Sequence, residues 1–143
     1  MRNFRVDDES GNQEALFSWA ALNVEQMPEL AFMHHVPNGG KRDRMTAIAL
    51  KRQGVKSGVP DIVLPYPHAG YHGLYIELKA GKNTTTAEQR KWLKYLSEHG
   101  YYTAVCYGWD TARDLIITYL KEPENLGTNN RIIREREQEH EDD

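Results

Sequence analysis

Cysteine is almost missing from this chain: Cys106 stands alone in 143 residues. One cysteine excludes an intrachain disulfide and cannot build a zinc ribbon, and it agrees with a reducing cytoplasm. Long apolar runs are missing as well. No stretch approaches the roughly 20 residues that span a bilayer, so a membrane is not among the expected partners. The N-terminal segment from Met1 to Glu9 is polar and charged, without the apolar core of a secretory signal. A cytoplasmic location is the expectation. Hydrophobic residues make up 39%, and the length suits one domain with a real core.

An excess of positive charge is also lacking, since the formal net charge is −3. That balance argues against a nucleic-acid partner only until it is resolved along the chain. Residues 121–143 hold four basic and eight acidic side chains, whereas residues 1–120 hold fourteen and thirteen. Between Lys41 and Lys56 six basic residues face Asp43 alone, and between Lys79 and Lys94 five face Glu88. Affinity for phosphates follows local potential more than total charge. Either cluster taken alone reads equally as a solvated helix face.

What is present is a regular alternation of helix and strand signals. Residues 1–11 are polar and expected to be loose, followed by a domain over 12–120 and a charged acidic tail over 121–143. Asn12 is expected to cap a helix from about Gln13 to Gln26, with Leu16, Trp19 and Ala20 on its inner stripe and Pro28 beyond its end. Leu30 to Val36 reads as a strand closed by the turn Pro37-Asn38-Gly39-Gly40. A basic helix then runs from about Arg42 to Gln53 with Met45, Ile48 and Ala49 facing in and Gly54 as its left-handed end. Ile62-Val63-Leu64 and Leu74 to Lys79 read as strands joined by a Pro/Gly-punctuated loop. Thr86 and Gln89 have capping-box spacing at the head of the next helix, which closes near Gly100. Tyr101 to Tyr107 reads as a buried strand, and Thr111 with Asp114 as the cap of a last amphipathic helix. Arg131 to Asp143 reads as a solvated helix or a disordered tail. The sum is a single-domain α/β fold, a small mixed central sheet flanked by helices.

The chemistry concentrates between Gly58 and Lys79. Strand side chains alternate, so Glu77 and Lys79 share a face about 6.6 Å apart while Ile76 and Leu78 point the other way. Asp61 opens the preceding strand. If the two strands pair, Asp61, Glu77 and Lys79 converge. A Glu-x-Lys triplet is common by composition, and a Pro-Asp step is usually turn chemistry; their combination on two adjacent strands is the signal. Two converging carboxylates repel and want balancing charge. Lys79 supplies one positive charge and a divalent cation would supply the rest. Oxygen donors suit Mg²⁺ or Mn²⁺, and such an ion suits phosphodiester hydrolysis. Lys41, Arg42, Arg44, Lys51, Lys56 and Lys82, with Asn38 from the preceding turn, are the candidate DNA contacts. Glu14, in the first turn of the first helix, answers the macrodipole there as readily as it would serve a metal. His68 and His72 lie in a Pro/Gly loop where their spacing does not bring them together.

The run Gly54 to Ile62, then Tyr75-Ile76-Glu77-Leu78-Lys79, then Thr86-Ala87-Glu88-Gln89-Arg90 through Gly100-Tyr101, resembles the VRR-NUC family of the PD-(D/E)xK nuclease superfamily. The resemblance covers about Asn12 to Leu120 and includes the Pro37-Asn38-Gly39-Gly40 turn. It implies a restriction-endonuclease-like αβββαβ core and hydrolysis of DNA phosphodiesters with Mg²⁺ or Mn²⁺. By position it implies Asp61, Glu77 and the main-chain carbonyl of Leu78 as metal ligands. It implies Lys79 as the residue that orients or deprotonates the attacking water, with Gln89 beside the site. Glu14 matches the acidic residue that some members add to the metal shell. Stand-alone members of this length resemble dimeric, junction-resolving enzymes of phages and prophages, so a homodimer acting on Holliday junctions or other branched DNA is expected. Two other readings stay open: a non-catalytic DNA-binding or assembly module on the same fold, and a sequence-specific restriction-type nuclease.

Overall fold

The computed structural model describes residues 8–37 and 43–135. Asn38, Lys41 and Arg42, and the turn beyond Pro37, lie outside the described residues. In chain order the elements are α1 (Glu9–Leu22), a 3-10 helix (Pro28–Phe32), β1 (His34–His35), α2 (Arg44–Arg52), β2 (Ile62–Leu64) and β3 (Leu74–Lys79), followed by α3 (Ala87–Glu98), β4 (Tyr102–Tyr107), α4 (Trp109–Lys121), a short 3-10 turn (Pro123–Asn125) and β5 (Arg131–Ile133). The sheet runs β1-β2-β3-β4-β5. β1, β2 and β3 pair antiparallel, while β3, β4 and β5 pair parallel. The order αβββαβ expected from the sequence runs through α1, β1, β2, β3, α3 and β4, with α2 inserted between the first two strands.

Alternation along β3 decides what each face of the sheet carries. Leu74, Ile76 and Leu78 point into the main core, where they meet Ile62 and Leu64 of β2, Ala104 and Cys106 of β4, Leu16 and Ala20 of α1, and Leu115, Ile116 and Tyr119 of α4. Each fully buried aliphatic side chain there stabilises by about 1.5–3 kcal/mol relative to exposure. The opposite face carries Glu77 and Lys79, and a second, smaller cluster of Leu93, Val105 and Tyr107 beneath α3. The polar pair of β3 therefore lies on the side that α3 covers.

Several elements differ from the reading of the sequence. The first helix starts four residues earlier than expected, because Asp8 caps it by accepting from Gly11 N at 2.6 Å. Asn12 is buried inside α1, its amide donating to Asp8 O and its oxygen accepting from Trp109 N. Residues 9–11 are thus helical, and Asn12 ties α1 to α4 instead of starting a helix. The segment expected as a strand from Leu30 begins as the 3-10 helix, and only His34–His35 is extended. α2 starts at Arg44 with Asp43 as its cap, and none of its residues is buried: Met45 is 77% exposed and Ile48 40%. The apolar stripe expected to face inward faces out. α4 begins after Gly108 with no side-chain cap; Thr111 instead donates to Tyr107 O and Gly108 O. The last difference is β5, a strand where the charged composition predicted a helix or disorder.

Other local signals hold. α2 ends in a Schellman motif, with Gly54 at φ 98° and Val55 N donating to Leu50 O at 3.0 Å, the geometry in which a left-handed glycine satisfies the last carbonyls. Gly58, at φ 87°, is a stricter requirement. A Cβ there would lie 2.6 Å from Glu88 C and 2.9 Å from Gln89 N. Only glycine lets the loop that carries Pro60 and Asp61 press onto the first turn of α3.

Candidate functional site

Asp61 sits where β2 meets the end of its ladder. Pro60 precedes it and has no N–H, so the antiparallel pairing stops. One pair beyond Ile62 and Ile76, the register sets Asp61 opposite Glu77; one further, it sets Pro60 opposite Leu78. Asp61 substitutes its side chain for the missing rung, Oδ2 accepting from Leu78 N at 3.0 Å. Its own carbonyl accepts from Val36 N at 2.8 Å and lies 2.9 Å from His35 Nδ1. Its main chain is thereby tied to the β1 side and its carboxylate to β3. The Leu78 carbonyl faces a proline that has no proton to give it.

Glu77 is the unusual residue. It is 1% exposed in the middle of the sheet. Its Oε1 accepts from Gln89 Nε2 at 3.0 Å and lies 3.6 Å from Lys79 Nζ. Its Oε2 is buried with no hydrogen-bond partner among the described residues. Burial pushes its carboxyl up to about 9, the charge and carboxyl group of neighbouring Asp61 push it the same way, Lys79 pulls it down, and Glu9 adds a smaller upward push. An unpartnered buried carboxylate oxygen costs free energy on the order of kcal/mol. Keeping its proton is how Glu77 meets that cost without a cation.

Lys79 is buried as well, at 6% exposure, and its Nζ lies 3.6 Å from both Glu77 Oε1 and Glu9 Oε1. Gln89 reaches the pair from α3 because of its place in the helix cap. Its Oε1 accepts from Thr86 N at 2.9 Å while its own N donates to Thr86 Oγ1 at 3.2 Å. The capping box holds the amide by its oxygen and aims its nitrogen at Glu77. One glutamine therefore caps the start of the helix and fixes the carboxylate.

Asp61, Glu77, Lys79 and Gln89 are brought together, with the Leu78 main chain alongside. Glu14 is not brought to them. It lies exposed on α1, and the acidic residue of that helix that reaches the cluster is Glu9, through Lys79. The early start of α1 explains the difference: reading the helix from Asn12 left Glu9 in a loop. Asp8 followed by Glu9, a cap and a first-turn acid, was the sequence signal for it. Of the basic residues, Arg44 and Lys51 are exposed on α2, Lys56 follows that helix, and Lys82 is exposed in the loop before α3.

The donor set bears on which ion fits. Among the described residues no cluster of three or more His, Cys, Asp or Glu side chains is arranged to hold a metal. Two carboxylates with an open carbonyl suit Mg²⁺ or Mn²⁺, ions that retain water and take one or two carboxylates. The unpartnered Glu77 Oε2 beside Asp61 fits such an ion. His68 and His72 are engaged in ring contacts: His68 stacks on Tyr66 and meets Tyr119 edge-on, and His72 meets Tyr101 edge-on. Cys106 is fully buried, its thiol pushed up to about 12 by burial, and it serves as a small core residue.

Comparison with known proteins agrees with this fold. The family model of the VRR-NUC domain matches residues 5–110. A solved structure described as a VRR_NUC domain protein superposes with a TM-score of 0.68 at 27% identity, over 88% of this chain and 93% of that one. No curated protein matches. Among the described residues no helix is long and apolar enough to cross a membrane. The sequence pattern, the sheet order and these matches agree: the chain belongs to the VRR-NUC domain family, a nuclease-type family.

Proposed function

We propose that this protein is an endodeoxyribonuclease that depends on Mg²⁺ or Mn²⁺, cleaves branched DNA such as four-way junctions, and works in the cytoplasm as a homodimer. The observation that carries the metal-dependent part is Glu77 Oε2, buried and unpartnered beside a second carboxylate. With its carboxyl pushed up to about 9, Glu77 keeps a proton beside Asp61 where a divalent cation, by displacing that proton, would turn two mutually repelling carboxyl groups into ligands. Asp61 and Glu77 would hold the ion, with the Leu78 carbonyl as a third oxygen. The ion would polarise the phosphate and offset charge that develops on it.

The remaining work belongs to the chain. Lys79 Nζ, kept in place by Glu77 and Glu9, donates to or takes a proton from the attacking water. Gln89 is a positioning residue that keeps Glu77 Oε1 from rotating. Water oxygen bonds to phosphorus, the P–O3′ bond breaks, and the 3′ oxygen leaves with a proton, giving a 5′-phosphate. Arg44, Lys51, Lys56 and Lys82, with Asn38, Lys41 and Arg42, supply phosphate contacts. Branched DNA is favoured because two copies would match the two-fold symmetry of a junction.

Purified protein incubated with four-way junction, flap, duplex and single-stranded DNA, in Mg²⁺, Mn²⁺ or EDTA, tests this reading. Metal-dependent nicks near the branch point are expected. Discrete plasmid fragments would favour a restriction-type nuclease, and DNA binding without any metal-dependent product would favour a non-catalytic module.

A further inference from the structure

α2 stands away from the sheet and leaves a groove of about 800 Å³ between itself and α3. Its walls are Leu50, Lys51 and Lys56 on one side and Lys91, Trp92 and Tyr95 on the other. Tyr95 is 56% exposed, an unusual cost for an aromatic side chain on a helix. Its ring lies nearly parallel to that of His99, with centroids 4.1 Å apart. Lys91, Tyr95 and His99 follow one another at four-residue spacing, so they form a single row along α3. Trp92 flanks that row, held by its Nε1 donating to Ser57 O at 3.0 Å. Three lysines on these walls outnumber Glu88, the acidic residue there.

Aromatic faces interleaved with lysines are the chemistry of a single-strand binding surface: bases stack, and ammonium groups track the phosphates. Double-stranded DNA offers no free base faces to such a row. The groove runs close to the candidate site along the first turn of α3. Glu88 is on its wall, and the next residue, Gln89, touches Glu77. Gly58, just after Lys56 and Ser57 of the groove wall, presses onto Glu88 and Gln89.

We infer that the groove between α2 and α3 holds a single-stranded DNA arm, stacked on Tyr95 and Trp92 and held by Lys51, Lys56 and Lys91, which leads from the scissile position. This inference rests on the nuclease reading and deepens it. On branched DNA that carries a single-stranded arm, such as a flap or splayed arms, the groove is what favours cutting beside that arm; a four-way junction, whose arms are all duplex, does not use it.

The test uses the full chain, fluorescein-labelled dT12 and anisotropy in EDTA, where no cleavage occurs. Wild-type protein is expected to bind dT12; Tyr95→Ala and Lys91→Ala should each weaken binding about tenfold, and Tyr95→Phe should restore it because stacking survives. Tyr95 and Lys91 are exposed, so these variants are expected to fold; matching thermal melts check it. In Mg²⁺, Tyr95→Ala should also reduce the ratio of splayed-arm to blunt-duplex cleavage about tenfold. Unchanged dT12 affinity in Tyr95→Ala and Lys91→Ala would overturn the inference. So would a Tyr95-dependent dimer in sedimentation with no change in dT12 affinity, since a second copy would then occupy the groove. Failure of the nuclease reading gives a different result: no cleavage of any DNA, with the dT12 affinities still separating the variants.

Discussion

At the residue scale the central object is the buried carboxylate of Glu77. Its carboxyl titrates at about 9 in the fold and near 4.5 in the unfolded chain. A carboxyl raised by folding holds its proton more tightly in the native state, so this group favours the native state most below about pH 4.5. That contribution is lost as pH rises through the window up to about 9. The loss is on the order of a few kcal/mol at the top of that window. In EDTA, urea midpoints of the wild type should therefore fall more steeply from pH 5 to pH 9 than those of Glu77→Gln. Parallel slopes would contradict the assigned burial. Added Mn²⁺ should reverse the effect, stabilising the wild type most at alkaline pH, where the cation has no proton to displace. Gln89 has two duties at this scale, to Thr86 and to Glu77. Thr86→Ala removes the cap alone and should cost about 1 kcal/mol. Gln89→Ala should cost more, because it also leaves Glu77 Oε1 without its donor. Equal urea midpoints for the two variants would contradict the double role.

At the scale of elements, what could be read from sequence depended on how local the signal was. β3, the capping box of α3 and the Schellman end of α2 are set by residues within a few positions of one another, and each was legible. The convergence of Asp61, Glu77 and Lys79 was legible too, because it follows from strand alternation once two strands pair. Where competing local signals existed, the reading went astray. Asp8 and Asn12 both suit a cap, and burial of Asn12 against Trp109 N decided between them. That choice moved the acidic residue near the site from Glu14 to Glu9. α2 misled for another reason: its apolar stripe is real but has nothing to cover it within the described fold. β5 could not be read at all. Its three residues sit in a charged run, and they form a strand only because β4 offers a parallel edge.

At the scale of the whole molecule, β5 and the segment before it close the sheet. Tyr102, fully buried, donates to Leu126 O at 2.7 Å and accepts from Arg131 Nε at 3.1 Å. Asn129 accepts from Thr103 N and donates to Tyr101 O, and Leu126 fills the core. Removing these residues leaves buried polar groups unpaired and a cavity, each costing about 1–5 kcal/mol. Domains of this kind hold about 5–15 kcal/mol in all. A chain ending at Lys121, although it contains the whole region matched by the family model, should lose its cooperative melt. An unchanged melting temperature would contradict the structural role of β5. The claim on which everything else depends is that this sheet carries a metal-dependent hydrolytic site. The direct measurement is cleavage of a labelled four-way junction in Mn²⁺ by the wild type and by Lys79→Ala, with junction affinity measured alongside in Ca²⁺. The account predicts cutting by the wild type, loss of at least about a hundredfold in Lys79→Ala, and nearly equal affinity for both. Cutting by Lys79→Ala at the wild-type rate would contradict it.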